Sequence, residues 1–388
     1  MNNPTIVVVA FNRLHSLKRL CSSLDRMVPP EDEANLVFSI DNNENKNLDV
    51  IEYAKAYSWK HGKKEVRVKE KNIGLRAHIL SCGDLTEEFG EVIILEDDLY
   101  VSPYFLEYTR MAHNFYKNDK RIGGISLYHY QHTDAEKIPF APLTNESDVY
   151  FLQVTSSWGQ SWNRNQWQNF RKWYNANPDL ESIQGVPAEV LNWPATSWKR
   201  YFNSYLIDTK KYFVFPVKSF TTNFNDPGMH YLDRDHEAQA PLVTVDPEFR
   251  FKKFDSARNI YDPFFEIIPD TIKHYNEALA AYDFDVDIYG TKRLKDLVKP
   301  FVITTKKCRN PIFTFERSLK PQEMNVMFAI PGNDIFLCKN EDLEQEKYEQ
   351  NDIVRDFPYF FRHYFNRSEL TLFFKLLINN KLNRILKK

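Results

Sequence analysis

The chain has 388 residues, enough for one large domain or two ordinary ones around a real core. Lys plus Arg number 51 against 53 Asp plus Glu, a formal net charge of -2. That balance excludes a dedicated nucleic-acid binder, a class with a clear basic excess.

Cys21, Cys82, Cys308 and Cys338 stand far apart with no CxxC pair. Neither a zinc site nor a disulfide framework is expected, and the chain reads as one for a reducing compartment. The opening MNNPTIVVVAFNR has no basic leader pattern. No apolar run reaches the ~20 residues of a spanning helix. The expectation is a cytoplasmic protein, at most peripheral at the inner face of the plasma membrane.

The first hundred residues alternate strand and helix signals. Thr5 to Ala10 is a continuous apolar, β-branched run, as in a strand buried on both faces. Leu14, Leu17, Leu20, Cys21 and Leu24 follow at helical spacing. Leu36 to Ile40 predicts a second strand, Ile51 to Trp59 a helix, Glu65 to Val68 a third strand, Ile73 to Leu85 a helix, and Val92 to Leu95 a fourth strand. This order predicts an α/β fold with a mainly parallel sheet between helices. Ligands of such sheets bind outside the carboxyl ends of the strands. Phe11-Asn12-Arg13, Asp41-Asn42-Asn43 and Glu96-Asp97-Asp98 are therefore expected on one edge.

Beyond residue 120 the pattern loosens. Ser156 to Tyr174 is a Trp-rich block. A helix-like segment runs to about Thr209, and Tyr212 to Pro216 reads as a strand. Asn325 to Ile330 and Asp334 to Cys338 are further strand candidates. Ser368 to Lys388 is a basic amphipathic stretch that suits an anionic membrane surface or a helix packed on the domain.

Three carboxylates at the mouth of a buried strand repel one another unless a cation or a hydrogen-bonding ligand takes up the charge. In an extended segment Glu96 and Asp98 would share one face. Mg²⁺ and Mn²⁺ are held by one or two carboxylates together with substrate phosphates, so the triplet suits a metal–diphosphate complex. The structural alternative is an acidic loop at a helix start.

VVVAFNR, the Asp41 strand end, NIGLRAH at Asn72 to His78 and VIILEDDLYVSPYFLEY together resemble GT-A glycosyltransferases. Within that fold they are similar to the group of the animal N-acetylglucosaminyltransferases that begin complex N-glycans, and to its bacterial polysaccharide-biosynthesis relatives. SSWGQSWNRNQW and FPVKSFTTNFNDPGMHY extend the resemblance over roughly residues 1 to 235. It implies a GT-A domain over 1–240, with a nucleotide-sugar half at 1–120 and an acceptor half at 121–240. A C-terminal α+β extension would occupy 241–388. By position it implies Asp98 on Mn²⁺ or Mg²⁺, with His230 near the metal or diphosphate. Asp97 would contact the ribose and Glu96 the donor sugar. Asn12 and Arg13 would line the nucleotide pocket, Asp41 read the uracil edge, and Asn72, Arg76 and His78 approach the diphosphate. Trp158 becomes the acceptor candidate, although Trp residues in such a block more often pack a core.

The implied activity is transfer of a hexose or N-acetylhexosamine from a UDP-sugar to a glycan or lipid-linked glycan in bacterial surface polysaccharide or capsule synthesis. A lipid-linked acceptor fits peripheral membrane contact through 368–388. One departure stands out. The family's inverting chemistry uses a carboxylate as general base, but Asn192 to Trp198 contains none. Glu189 and Asp233 are the substitutes ranked first, ahead of Asp226 and Asp235. The rival readings are a sugar nucleotidyltransferase and a non-catalytic glycan-binding protein. AFNRLHSLKRL lacks the Gly expected of the former, and the missing carboxylate favours the latter.

Overall fold

The computed structural model describes residues 3–44, 46–144, 146–226 and 238–344, together with 356, 359 and 360. His230, Asp233, Asp235 and the 368–388 stretch lie outside the described residues. Two compact units divide the chain, 1–271 and 272–388. Among the described residues no helix is long and apolar enough to cross a membrane.

In chain order the first unit contains β1 Thr5–Ala10, α1 Leu14–Leu24, β2 Leu36–Ile40, α2 Leu48–Ala56, β3 Lys64–Val68, α3 Gly74–Gly83 and the single turn α4 Thr86–Phe89. After these come β4 Glu91–Glu96, β5 Leu99–Val101, α5 Phe105–Tyr116, β6 Ile122–Ser126, β7 Val149–Leu152 and β8 Gln160–Asn163. The remainder is α6 Arg164–Asn175, α7 Ala188–Asn192, α8 Trp198–Asp208, β9 Tyr212–Pro216, β10 Thr221–Asn223 and β11 Ile260–Tyr261.

Nine strands form one sheet in the order β11-β7-β9-β6-β8-β4-β1-β2-β3. β3, β2, β1 and β4 are mutually parallel, and β8 lies antiparallel between β4 and β6. The apolar runs explain the centre: every residue of β1 and β2 is buried, which suits strands covered on both faces. β3 is the edge strand, and its Lys64, Glu65 and Arg67 are the charges an edge tolerates. On one face Leu17, Leu20, Cys21 and Leu24 of α1 pack with Val8, Phe38, Ile93 and Leu95. On the other, Trp162 of β8 meets Trp167 of α6 and both Trp198 and Phe202 of α8. Trp162 and Trp167 are thus core residues. β11 lies past residue 240 and belongs to the first unit, pairing with β7.

The second unit carries a four-stranded sheet, with β12 Phe284–Asp287, β13 Phe301–Thr304, β14 Phe313–Phe315 and β15 Ile335–Lys339 in the order β12-β13-β15-β14. The expected strand at Asn325 to Ile330 is instead a helix over Glu323–Met327. Its apolar run lacks period-two alternation. The buried Asn325 side chain also accepts from the Ser318 and Leu319 backbone N–H groups at 2.9 and 2.8 Å, fixing a turn that a strand would not permit. Cys308, far from Cys338 in sequence, packs against the small cluster that contains it.

Candidate active site

The carboxyl ends of β1, β2 and β4 lie on one edge because the three strands are parallel. β4 ends at Glu96, and the chain turns through Asp97 and Asp98 into β5. That turn breaks the alternation expected of an extended segment. Asp97 and Asp98, consecutive in the chain, converge on one guanidinium, and Asp98 is also the charge acting most strongly on Glu96. Arg13, just past β1, donates from Nη2 to Asp97 and from Nη1 to Asp98 Oδ2 at 3.0 Å. Asp97 and Asp98 are 2% and 8% exposed, so both carboxylates are nearly out of water, while the Arg13 side chain remains part-exposed. Asn223, at the end of β10, donates to Asp98 Oδ1 at 3.3 Å. It is brought there by the antiparallel pairing of β10 with β5, which sets Asn223 opposite Leu99.

Burial dominates the electrostatics. It holds Asp97 up at about 6 despite the pull of Arg13. Burial and the neighbouring Asp98 push Glu96 up to about 8, while Arg13 and Lys199 pull it down. Arg13 is raised by Asp97 and Asp98, against the opposing effect of its own burial. Asp97 and Asp98 against one guanidinium leave an excess of negative charge, while Glu96, raised to about 8, keeps its proton near neutral pH. Among the described residues no set of three His, Cys, Asp or Glu side chains is arranged around a metal position. The donor chemistry still fits a hard cation, because Mg²⁺ or Mn²⁺ needs only one or two protein carboxylates when phosphates and water complete its shell.

The other expected site residues divide. Asn12 is exposed beside Arg13. Asp41 is at the end of β2 on the same edge, but its oxygens accept from the backbone N–H groups of Asn42, Ile73 and Gly74 at 2.9 to 3.3 Å. It therefore anchors the start of α3. Asn72 accepts from the Gly74 N–H at 3.0 Å and shapes the same turn. His78 faces inward: its Nε2 is 2.8 Å from Ser39 Oγ, and burial lowers its pKa to about 4. It is a neutral packing residue. Arg76 turns to the loop before α8, donating to the Ala195 carbonyl at 2.5 Å and Tyr201 Oη at 2.9 Å.

Trp158 sits partly buried just before β8, edge-on to Tyr128 with ring centres 4.6 Å apart. Thr221 Oγ1 donates to its carbonyl. Thr221 precedes Asn223 on β10 by two residues, so one short strand touches both Trp158 and Asp98. Gly159 follows at φ +93°, and a Cβ there would stand 2.7 Å from Thr221 Cγ2. Glycine at 159 is dictated by that approach and by the positive φ.

Glu189 lies on α7, half-buried, with its pKa raised by burial first and by Asp134 second. Lys199, at the start of α8, pairs with Asp134 at 3.1 Å and lies over the Trp193 ring at 5.0 Å. Sequence reasoning missed Lys199 and Asp134, which are 65 positions apart and carry no motif. Asp226, among the lower-ranked base candidates, is engaged by Ser16 Oγ at 2.6 Å and by Arg19.

No family model matches the chain, and no curated protein matches it. Among solved structures, S. aureus TarS 1-349 aligns at 12% identity over 56% of this chain and 59% of that one, with a TM-score of 0.36. GalNAc-T7 with UDP, GalNAc and Mn2+ aligns at 14% identity over 56% and 43%, TM-score 0.36. The mannosyltransferase PcManGT from Pyrobaculum calidifontis with GDP-Man and Mn2+ aligns at 10% over 45% and 47%, TM-score 0.31. The chain thus spans less than two thirds of each of these structures, and the likeness is loose.

Proposed function

We propose that this chain is a metal-dependent glycosyltransferase of the GT-A type, taking a sugar from a nucleotide-diphosphate donor, UDP-linked first of all, to a glycan or lipid-linked glycan. The observation that carries this reading is the Arg13–Asp97–Asp98 cluster at the carboxyl edge of a parallel sheet, with Glu96 beside it. In α/β folds that edge is where ligands bind. A buried excess of carboxylates there asks for a cation, and a diphosphate supplies the remaining ligands.

In this reading Asp98 would hold the metal, with His230 a second candidate ligand. Bound there, the metal would neutralise the diphosphate as a leaving group. Arg13 holds Asp98 and Asp97 in place through charge-assisted hydrogen bonds. Glu96 is assigned to the donor sugar, Asn12 to the nucleotide and Trp158 to the acceptor ring. Glu189 is the first base candidate, because a carboxylate raised by burial is the better proton acceptor for a hydroxyl. Asp233 is the alternative. A role in bacterial surface polysaccharide synthesis, contact of 368–388 with the membrane, and a 1–240 catalytic domain belong to the same proposal.

The test is a thermal-shift screen of nucleoside diphosphates with and without Mn²⁺, on wild type and Asp98→Ala. A ligand at about 100 times its Kd stabilises by ~2.7 kcal/mol. UDP should stabilise wild type only with Mn²⁺, and Asp98→Ala should abolish the shift. If no nucleotide moves the wild type, the donor-site reading is lost. If UDP binds equally well in EDTA, the metal is removed from the reading.

A further inference from the structure

The opposite edge of the main sheet carries a second constellation. Register defines the edge: Asn163 of β8 is paired with Glu91, where β4 begins. Glu96 is five residues further on, about 17 Å at ~3.3 Å per residue. A cleft of about 820 Å³ opens here between α6, the end of α5 and the end of α8. Ligand sites commonly occupy about 300–1,000 Å³.

Its main wall is one face of α6. Asn165, Asn169, Lys172, Trp173 and Ala176 recur at i, i+4, i+7, i+8 and i+11, with Gln168 between them, and all line the cleft. Trp167 and Phe170 point the other way, into the core. Asn165 and Asn169 are exposed, and their side chains make no hydrogen bond among the described residues. Each offers two donors and a carbonyl acceptor. Trp173 is held from behind, its indole N–H donating to Asp208 at 2.7 Å, so its ring is fixed at the cleft. Beside it Tyr205 packs with its ring centre 5.6 Å from that of Trp173, and its buried hydroxyl makes no geometrically sound hydrogen bond among the described residues, although the Thr209 side chain stands near it.

Charge narrows the ligand class. Lys117, Lys120, Lys172 and Lys211 line the cleft, and none pairs with a carboxylate among the described residues. The one acidic lining residue, Asp119, is already bound by Arg121 through Nε at 2.8 Å and Nη2 at 2.7 Å. On a chain of net charge -2 this is a local cationic patch. Free amides read hydroxyl groups, a fixed indole offers a face to a sugar ring, and lysines meet carboxylate or sulfate groups. No arginine lines the cleft, so an anionic group there would meet lysine point charges rather than bidentate forks.

We infer that this cleft is a second carbohydrate-binding site, for an acidic oligosaccharide, on the edge opposite the carboxylate cluster. It requires nothing of that cluster and stands or falls separately from the transfer reading. The test uses the full chain and isothermal titration with a panel of uronate, sulfated and neutral oligosaccharides of two to six units, compared with a DNA hexanucleotide. The variants are Lys172→Glu and the double substitution Asn169→Ala/Lys117→Ala, all at exposed positions. Acidic sugars should bind wild type and Asp98→Ala alike. Each cleft variant should weaken binding about tenfold or more, as expected for losing a charge-assisted hydrogen bond. The site is refuted if no acidic sugar binds, if Asp98→Ala abolishes binding while the cleft variants retain it, or if the hexanucleotide binds more tightly than any sugar.

Discussion

The two edges of the main sheet are built on opposite principles. At the carboxyl edge the carboxylates are buried and tightly engaged, yet outnumber their cation at the Asp97–Asp98 turn: Arg13 binds both Asp97 and Asp98, Arg19 binds Asp226, and Asp41 accepts from the backbone at the start of α3. At the other edge Asn165, Asn169, Lys172 and Lys117 are exposed, and the two Asn side chains and Lys172 make no side-chain hydrogen bond among the described residues. The first arrangement costs desolvation and is held rigidly. The second costs little and leaves its donors in water. A site that must fix reacting groups needs the former, whereas a surface that only retains a polymer can use the latter.

Substitutions should break this contrast most strongly at Arg13. Arg13→Ala leaves two buried carboxylates facing each other, and losing one partner of such a group costs about 3–5 kcal/mol. Urea denaturation should report that loss, and added Mn²⁺ should restore part of it if the carboxylates accept a cation. A mutant as stable as wild type would mean that the pair is solvated.

Acid should come next. His78 and His113 are buried and lowered to about 4 and about 3 by desolvation. Their folded pKa values lie below the ordinary 6.5, so below that pH the unfolded chain binds more protons. Stability should be full above about pH 6.5 and fall as pH drops towards 4. Replacing His113 with Gln should flatten the melting-temperature profile across that window, and an unchanged slope would assign the acid sensitivity elsewhere.

Gly159→Ala is expected to be milder, about 1–3 kcal/mol for strain at positive φ with the Thr221 methyl in the way. If Trp158 holds the acceptor as proposed, a shift of its backbone should raise acceptor KM more than donor KM. At the far edge the expected stability effect is smallest: Lys172→Glu should stay within about 0.5 kcal/mol of wild type and leave donor binding unchanged. A large destabilisation there would show that the lysine stripe is structural.

Much of the first half was legible in the sequence. β1, β2, β4 and β9 fall within a residue or so of the apolar runs that predicted them, because a strand buried on both faces has to be apolar throughout. The convergence of the Arg13, Asp41 and Glu96 strand ends followed from parallel order alone. The use made of each residue did not follow. Asp41 shares the carboxylates' edge and His78 lies on the helix that Asp41 anchors, yet the first holds the start of α3 and the second packs on Ser39. Side-chain direction at an edge is set by the turn, and the turn at Asp97–Asp98 reverses simple alternation. The Trp block showed its buried face, while the polar stripe of Asn165, Asn169 and Lys172 on the reverse of the same helix went unread. Exposed polar residues are the default of any helix, and only the walls supplied by α5 and α8 make that stripe a cleft.

The sequence by itself determined the alternating order of strands and helices, the apolar core and the placing of three carboxylates at a strand mouth, because burial writes a local periodic pattern. Tertiary structure alone decided which charge meets which. Arg13 reaches Asp98 across 85 positions, Lys199 reaches Asp134 across 65, and Thr221 reaches Trp158 across 63. Those pairings depend on strand order and turn geometry, which no local pattern encodes.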